Sequence, residues 1–155
     1  MDKTLTVMNE LMVDIFNGIL TIEQTALKEG SFKDISVTEI HTIEAIGMYT
    51  ARTMSEVALD LGITVGTLTK AIGNLVRKGY VQRERSQEDR RVVRITLTKR
   101  GKLAYRIHAK FHRDMIKEIV KGMSNSEEEL LINALEKINY CFKDKYKIEV
   151  RANRE

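Results

Sequence analysis

The sequence predicts a mainly α-helical chain that carries one β-hairpin. Zero Pro and only nine Gly in 155 residues leave few places for irregular loops. Three capping-box patterns, Ser36-Val37-Thr38-Glu39, Thr53-Met54-Ser55-Glu56 and Ser124-Asn125-Ser126-Glu127, each precede an apolar run of helical period. One region, Tyr80 to Leu97, alternates apolar and polar residues on either side of a polar tip, which is the pattern of paired strands.

The first helix is expected over roughly Lys3 to Lys28. Met8, Leu11, Met12, Ile15, Phe16, Ile19, Ile22, Ala26 and Leu27 recur at helical spacing and form a wide apolar stripe that must lie against something. Gly30-Ser31-Phe32-Lys33-Asp34 reads as a loop. The Ser36 box then opens a helix to about Met48, with Ile40, Ile43 and Ile46 on its buried face.

Thr53 caps a short helix with Val57, Ala58 and Leu61 on one side, and Gly62 supplies a left-handed residue to end it. Thr64 caps the next, whose apolar residues are Val65, Leu68, Ile72, Leu75 and Val76. Its other face holds Gly66, Thr67, Thr69, Lys70, Gly73, Asn74 and Arg77 and has no bulky apolar side chain. Two short helices around a tight Gly-containing turn, the second small and polar outside, suit insertion into a DNA major groove. Strands follow at Tyr80–Arg85 and Val93–Leu97, with Ser86-Gln87-Glu88-Asp89-Arg90-Arg91 between them as a hairpin tip. A helix-turn-helix followed by such a hairpin is a winged helix.

Thr98 begins a long helix to about Lys121, marked by Leu103, Ile107, Phe111, Met115 and Ile119, and Gly122-Met123 breaks it. The last helix is expected to bury Leu131, Leu135, Ile138 and Phe142. The charged tail from Lys145 to Glu155 should fray. These elements read as one domain over residues 1–155, with the winged helix at about 36–97.

Charge points to the partner. The formal net charge is +4, but the segment from Thr53 to Arg113 holds 14 Lys/Arg and 5 Asp/Glu, a net +9, while the remainder is net −5. A basic middle that coincides with a helix-turn-helix and hairpin tip is a nucleic-acid footprint. In the second reading helix, Thr67, Thr69 and Lys70 are placed to meet base edges, with Asn74 further along and Gly66 allowing close approach. Ser55 and Thr64 sit at helix starts that favour phosphate, and Arg77 and Lys78 suit phosphate better than bases.

An enzyme finds no support: there is no Gly-rich phosphate loop, no nucleophile elbow and no Cys–His signal. Cys141 reads as a small packed hydrophobe. A single Cys excludes an intramolecular disulfide, no run of apolar residues is long enough to span a bilayer, and no signal-peptide pattern opens the chain. A cytoplasmic setting is therefore expected.

Three blocks carry a resemblance to a known family. They are Leu75-Val76-Arg77-Lys78-Gly79-Tyr80-Val81, Arg85-Ser86-Gln87-Glu88-Asp89-Arg90-Arg91 and Ile95-Thr96-Leu97-Thr98-Lys99-Arg100-Gly101. With them the chain resembles the MarR family of transcriptional regulators, and the resemblance covers nearly its whole length. It implies dimerisation helices at about 3–28 and 98–145, a homodimer on palindromic double-stranded DNA, and Arg91 reaching the minor groove while Asp89 holds it in a buried carboxylate–guanidinium fork. Arg90 could share that role. On the residues alone, Asp89 and Arg91 could equally be a turn-stabilising ion pair.

Within the family, Phe32-Lys33-Asp34-Ile35-Ser36, His41-Thr42-Ile43, Arg77-Lys78-Gly79-Tyr80 and His108-Ala109-Lys110-Phe111-His112 resemble the repressors of fatty-acid-synthesis genes (FabT type). That likeness implies long-chain acyl groups on acyl carrier protein (acyl-ACP) as co-repressor, an acyl-chain tunnel near the dimer helices, and no required cofactor. Zinc-responsive members of the same family offer an alternative, since they draw ligands from positions matching His41, His108 and His112. Glu23 would add a carboxylate to that set, giving three imidazoles and one oxygen. The competing account keeps these histidines packed and hydrogen-bonded. Sensing of another small ligand also stays open.

Overall fold

The computed structural model describes residues 2–147. Their elements are α1 (Lys3–Glu29), α2 (Val37–Ile46), β1 (Arg52–Thr53), α3 (Met54–Leu61) and α4 (Val65–Arg77). Then follow β2 (Val81–Arg85), β3 (Val93–Leu97), α5 (Lys99–Val120) and α6 (Asn125–Tyr146). The expected tail falls partly inside α6, which takes in Lys145, and its remainder lies outside the described residues. The described residues form two compact units, divided between His41 and Thr42.

In the first unit, Asp2 caps α1 by accepting from the Thr4 N–H, and Gly30 closes the helix by donating to the Ala26 carbonyl. A Cβ on Gly30 would stand 2.8 Å from that carbonyl oxygen, so the exit turn needs Gly. Met8, Leu11, Met12, Ile15, Phe16 and Ile22 are exposed, and the one buried residue of α1 is Glu23. By length and composition alone α1 is apolar enough to cross a membrane, contrary to the expectation that no apolar run is long enough. Glu10 and Asp14 interrupt the run, and with Asn17 and Thr21 they form one polar stripe along an otherwise apolar cylinder. Phe32, Ile35 and Ile40 are buried. The Ser36–Glu39 capping box is formed in both directions, at 2.9 and 3.1 Å.

The second unit holds the winged helix. α2 ends at Ile46, two residues before the expected Met48, because Gly47 turns the chain with φ +76°. Thr53 and Glu56 form a reciprocal capping box at the start of α3. The Thr53 backbone N–H, more than any other influence, holds the Glu56 carboxyl below the usual carboxylate range. Gly62 ends α3 in the left-handed region, and Thr64 caps α4 through the Thr67 N–H.

The sheet is antiparallel in the order β1-β3-β2, with Val81 opposite Leu97, Arg83 opposite Ile95 and Arg52 opposite Ile95 from the other side. β1 was not expected; two residues are too few to show an alternating pattern. Arg52 holds it in place by donating to the Ala45 carbonyl and the Asp60 carboxylate, both at 2.7 Å. Ile43, Ile46, Val57, Leu68, Ile72, Leu75, Tyr80, Val81, Ile95 and Leu97 form the buried core of this unit.

The last two helices differ from expectation in what they bury. On α5 the covered face is Gly101, Ala104 and His108, whereas Leu103, Ile107 and Ile119 point outward. α6 buries nothing among the described residues: Leu135 is 55% exposed and Phe142 39%. An apolar stripe says that a helix face needs cover, and it does not say whether the same chain provides it. Cys141, read as packed, is exposed.

Candidate nucleic-acid interface

α4 is built as the sequence implied. Leu68, Ile72 and Leu75 are fully buried on one side, while Gly66, Thr67, Thr69 and Lys70 are exposed on the other. The hydroxyls on that outer face are already oriented. Thr64 Oγ lies 3.0 Å from Thr67 Oγ and accepts from the Thr67 N–H at 3.2 Å. Thr69 donates its hydroxyl to the Val65 carbonyl at 2.8 Å, which fixes its rotamer and leaves the oxygen lone pairs to accept from a base amino group. Lys70, the next residue, is exposed on the same side.

Towards the C-terminal end, Arg77 folds back along the helix. Its guanidinium donates to the Asn74 side-chain oxygen, and its Nε reaches the Gly73 carbonyl at 3.4 Å. The Asn74 side-chain oxygen is thereby engaged within the helix. Ser55 is exposed in the first turn of α3.

The hairpin tip is a turn held by local bonds. Asp89 accepts from the backbone N–H of Arg91 at 2.9 Å, the Val92 N–H donates to the Asp89 carbonyl at 3.0 Å, and the Ser86 N–H donates to the Val92 carbonyl at 2.9 Å. Asp89, Arg90 and Arg91 are all exposed. The expectation of a buried carboxylate–guanidinium fork is therefore corrected. Asp89 shapes the backbone of the tip and leaves the Arg91 side chain to reach outward. Neither the fork nor the alternative side-chain ion pair is formed.

Sequence reading also missed two groups. Arg83 and Arg85 are exposed on β2, and Arg83 extends to within 3.5 Å of where a Cβ on Gly73 would lie. The charge balance counted them, but only the register of the hairpin sets Arg83 beside the reading helix. The other is Glu44. His108, 4% exposed on α5, has its Nε2 3.0 Å from His112 Nε2 and 3.4 Å from Glu44 Oε1. The ligand atoms of Glu44, His108 and His112 all lie within 4.8 Å of one another. In the first unit, His41 Nε2 lies 3.3 Å from the carboxylate of buried Glu23.

The profile of the MarR family matches residues 33–92. In three dimensions the chain is similar to FabT of Streptococcus pneumoniae, solved in complex with DNA. The TM-score is 0.87 at 42% identity, with 90% of this chain and 98% of that chain covered. It is similar to the HTH-type transcriptional regulator SarZ of Staphylococcus haemolyticus at 31% identity, over 68% of this chain and 70% of SarZ. It is also similar to the HTH-type transcriptional repressor YetL of Bacillus subtilis, at 26% identity over 83% of this chain and 70% of YetL. An outward face of small polar residues on α4, an arginine-bearing hairpin and these likenesses together make the chain a member of the MarR family, whose members are DNA-binding transcriptional regulators rather than enzymes.

Proposed function

We propose that the protein is a cytoplasmic, dimeric repressor of fatty-acid-synthesis genes, with long-chain acyl-ACP as co-repressor. The observation that carries the reading is the similarity to FabT over nine-tenths of the chain, at an identity well above that of the curated relatives it matches. The apolar faces left open on α1 and α6 support pairing with a second copy. Two-fold symmetry would set two copies of α4 about 34 Å apart on a palindrome. Thr67, Thr69, Lys70 and Asn74 read base edges in this account. Ser55, Thr64, Arg77 and Lys78 hold phosphates, Gly66 lets the helix approach, and Asp89, Arg90 and Arg91 form the wing contact.

A co-repressor acts by preferring the DNA-competent state, so it raises operator affinity by its differential affinity for that state. The acyl chain would enter a tunnel near the dimer helices, and the acidic carrier would dock on basic residues. The test is operator binding by fluorescence anisotropy with acyl carrier protein loaded with long, short or no acyl chains. Affinity is expected to rise about five- to 150-fold with the long chain. Equal affinity across chain lengths would leave a MarR-type regulator of another signal.

Metal sensing is the second reading, favoured by the Glu44–His108–His112 grouping. Tetrahedral zinc at about 2.05 Å from nitrogen separates its ligand atoms by about 3.3 Å, close to the spacings of 3.0 and 3.4 Å found at His108. Beside Glu23, the carboxylate expected from the sequence, Glu44 offers another in the same unit as His108 and His112. Zinc titrated into metal-free protein should bind tightly and alter operator affinity, with both effects lost in His108→Ala and His112→Ala. Weak zinc binding, or binding without effect on DNA, would leave the histidines structural.

A further inference from the structure

The reading helix does not end freely. Three successive carbonyls at its exit, those of Lys78, Gly79 and Tyr80, are all taken by the first turn of α5. Arg100 Nη1 donates to the Lys78 oxygen at 2.9 Å, the Thr98 hydroxyl to the Gly79 oxygen at 2.6 Å, and the Thr98 N–H to the Tyr80 oxygen at 3.0 Å. They belong to the C-cap residue and the two that follow it, whose own N–H groups close the last turn of α4 by donating to the Asn74, Val76 and Leu75 carbonyls. The Thr98 hydroxyl has a second task, accepting from the Gly101 N–H at 3.1 Å to cap α5. One side chain thus ties the exit turn of α4 to the start of α5.

Two further features tighten the joint. The Arg100 guanidinium carbon lies 4.4 Å from the centre of the Tyr80 ring, on a side chain with no exposed surface. Its charge also stands at the negative end of the α4 dipole. Gly101 leaves no gap: a Cβ there would fall 2.1 Å from the Tyr80 oxygen and 3.2 Å from Leu97 Cβ. No side chain fits between α5 and the strand that follows α4.

We infer that Thr98, Arg100 and Gly101 are positioning residues for DNA reading, which lock the C-terminal end of α4 to α5 so that the two turn as one body. The inference rests on the DNA-binding reading and deepens it. The orientation of α4 is then set by α5 as much as by the helix-turn-helix, and any event that turns α5 at its N-terminal end reorients the reading face.

Arg100→Met keeps the packing over Tyr80 and removes the hydrogen bond and the charge. Amide exchange at Lys78, Gly79 and Tyr80 in DNA-free protein is the first readout. Exchange there should quicken at least several-fold in Arg100→Met and in Thr98→Val, with the melting temperature shifted by no more than a few degrees. Operator affinity should fall about ten-fold, while affinity for a random duplex and the salt slope of log K stay near the parent's. Arg100→Lys should not restore it, because an ammonium cannot both lie flat on Tyr80 and bond the Lys78 carbonyl. Unchanged exchange at residues 78–80 would overturn the joint, whether or not the protein binds an operator. A salt slope reduced by about 0.9, with operator and random duplex weakened alike, would make Arg100 a phosphate contact and overturn it too. Gly101→Ala is the harsher variant and is expected to unseat α5 altogether.

Discussion

Glutamate in place of Phe16 is expected to divide the dimer and to lower operator affinity by roughly a hundred-fold or more. Phe16 is 63% exposed at the middle of the α1 stripe, flanked by exposed Met12 and Ile15. Substitution there costs the single chain little, since exposed positions away from special features change stability by about half a kcal/mol or less. Between two copies the same carboxylate would be buried without a partner, which is strongly unfavourable. Loss of pairing also loses the linked binding of two half-sites, and that linkage accounts for the size of the effect. Sedimentation and operator titration on one sample would check both parts. Asn17→Glu, on the polar side of the same helix, should leave both unchanged. A Phe16→Glu protein that remains dimeric would mean that another surface pairs.

The second large effect is at the wing. Arg91→Ala should weaken operator binding about ten- to a hundred-fold without altering fold or dimer. Asp89 fixes the backbone at the Arg91 N–H, and the Arg91 side chain projects from the tip of an exposed turn. A guanidinium so placed is suited to a narrow minor groove, where the negative potential is strongest. Asp89→Ala should give a smaller loss, because it frees the turn and leaves the charge in place. Circular dichroism and sedimentation matching the parent would assign the loss to contact. Full operator affinity in Arg91→Ala would remove the wing from the reading.

What could be read from the chain alone was whatever depends on neighbours in sequence. The boxes at Ser36–Glu39, Thr53–Glu56 and Ser124–Glu127 formed because each joins positions three apart, and Gly62 took its left-handed turn for the same local reason. The outer face of α4 followed from helical period. Long-range facts were hidden. Glu44 comes beside His108, sixty-four residues later, only in the folded second unit, and the demand for Gly at 101 comes from Tyr80, twenty-one residues earlier. The Asp89–Arg91 fork failed because an exposed two-residue spacing favours a carboxylate bonding the nearby backbone N–H. The faces of α1 and α6 were seen as apolar, but period cannot tell cover by the chain itself from cover by another copy.

The central claim is that this chain reads a palindrome through α4 and the hairpin tip. It is tested most directly by selecting bound fragments from genomic DNA and titrating the enriched site against a random duplex across a range of salt. The expected result is a two-fold symmetric site with half-sites one helical turn apart, bound about a thousand-fold or more tighter than random duplex, with affinity falling steeply as salt rises. No enriched sequence, or equal affinity for enriched and random DNA at every salt concentration, would contradict it.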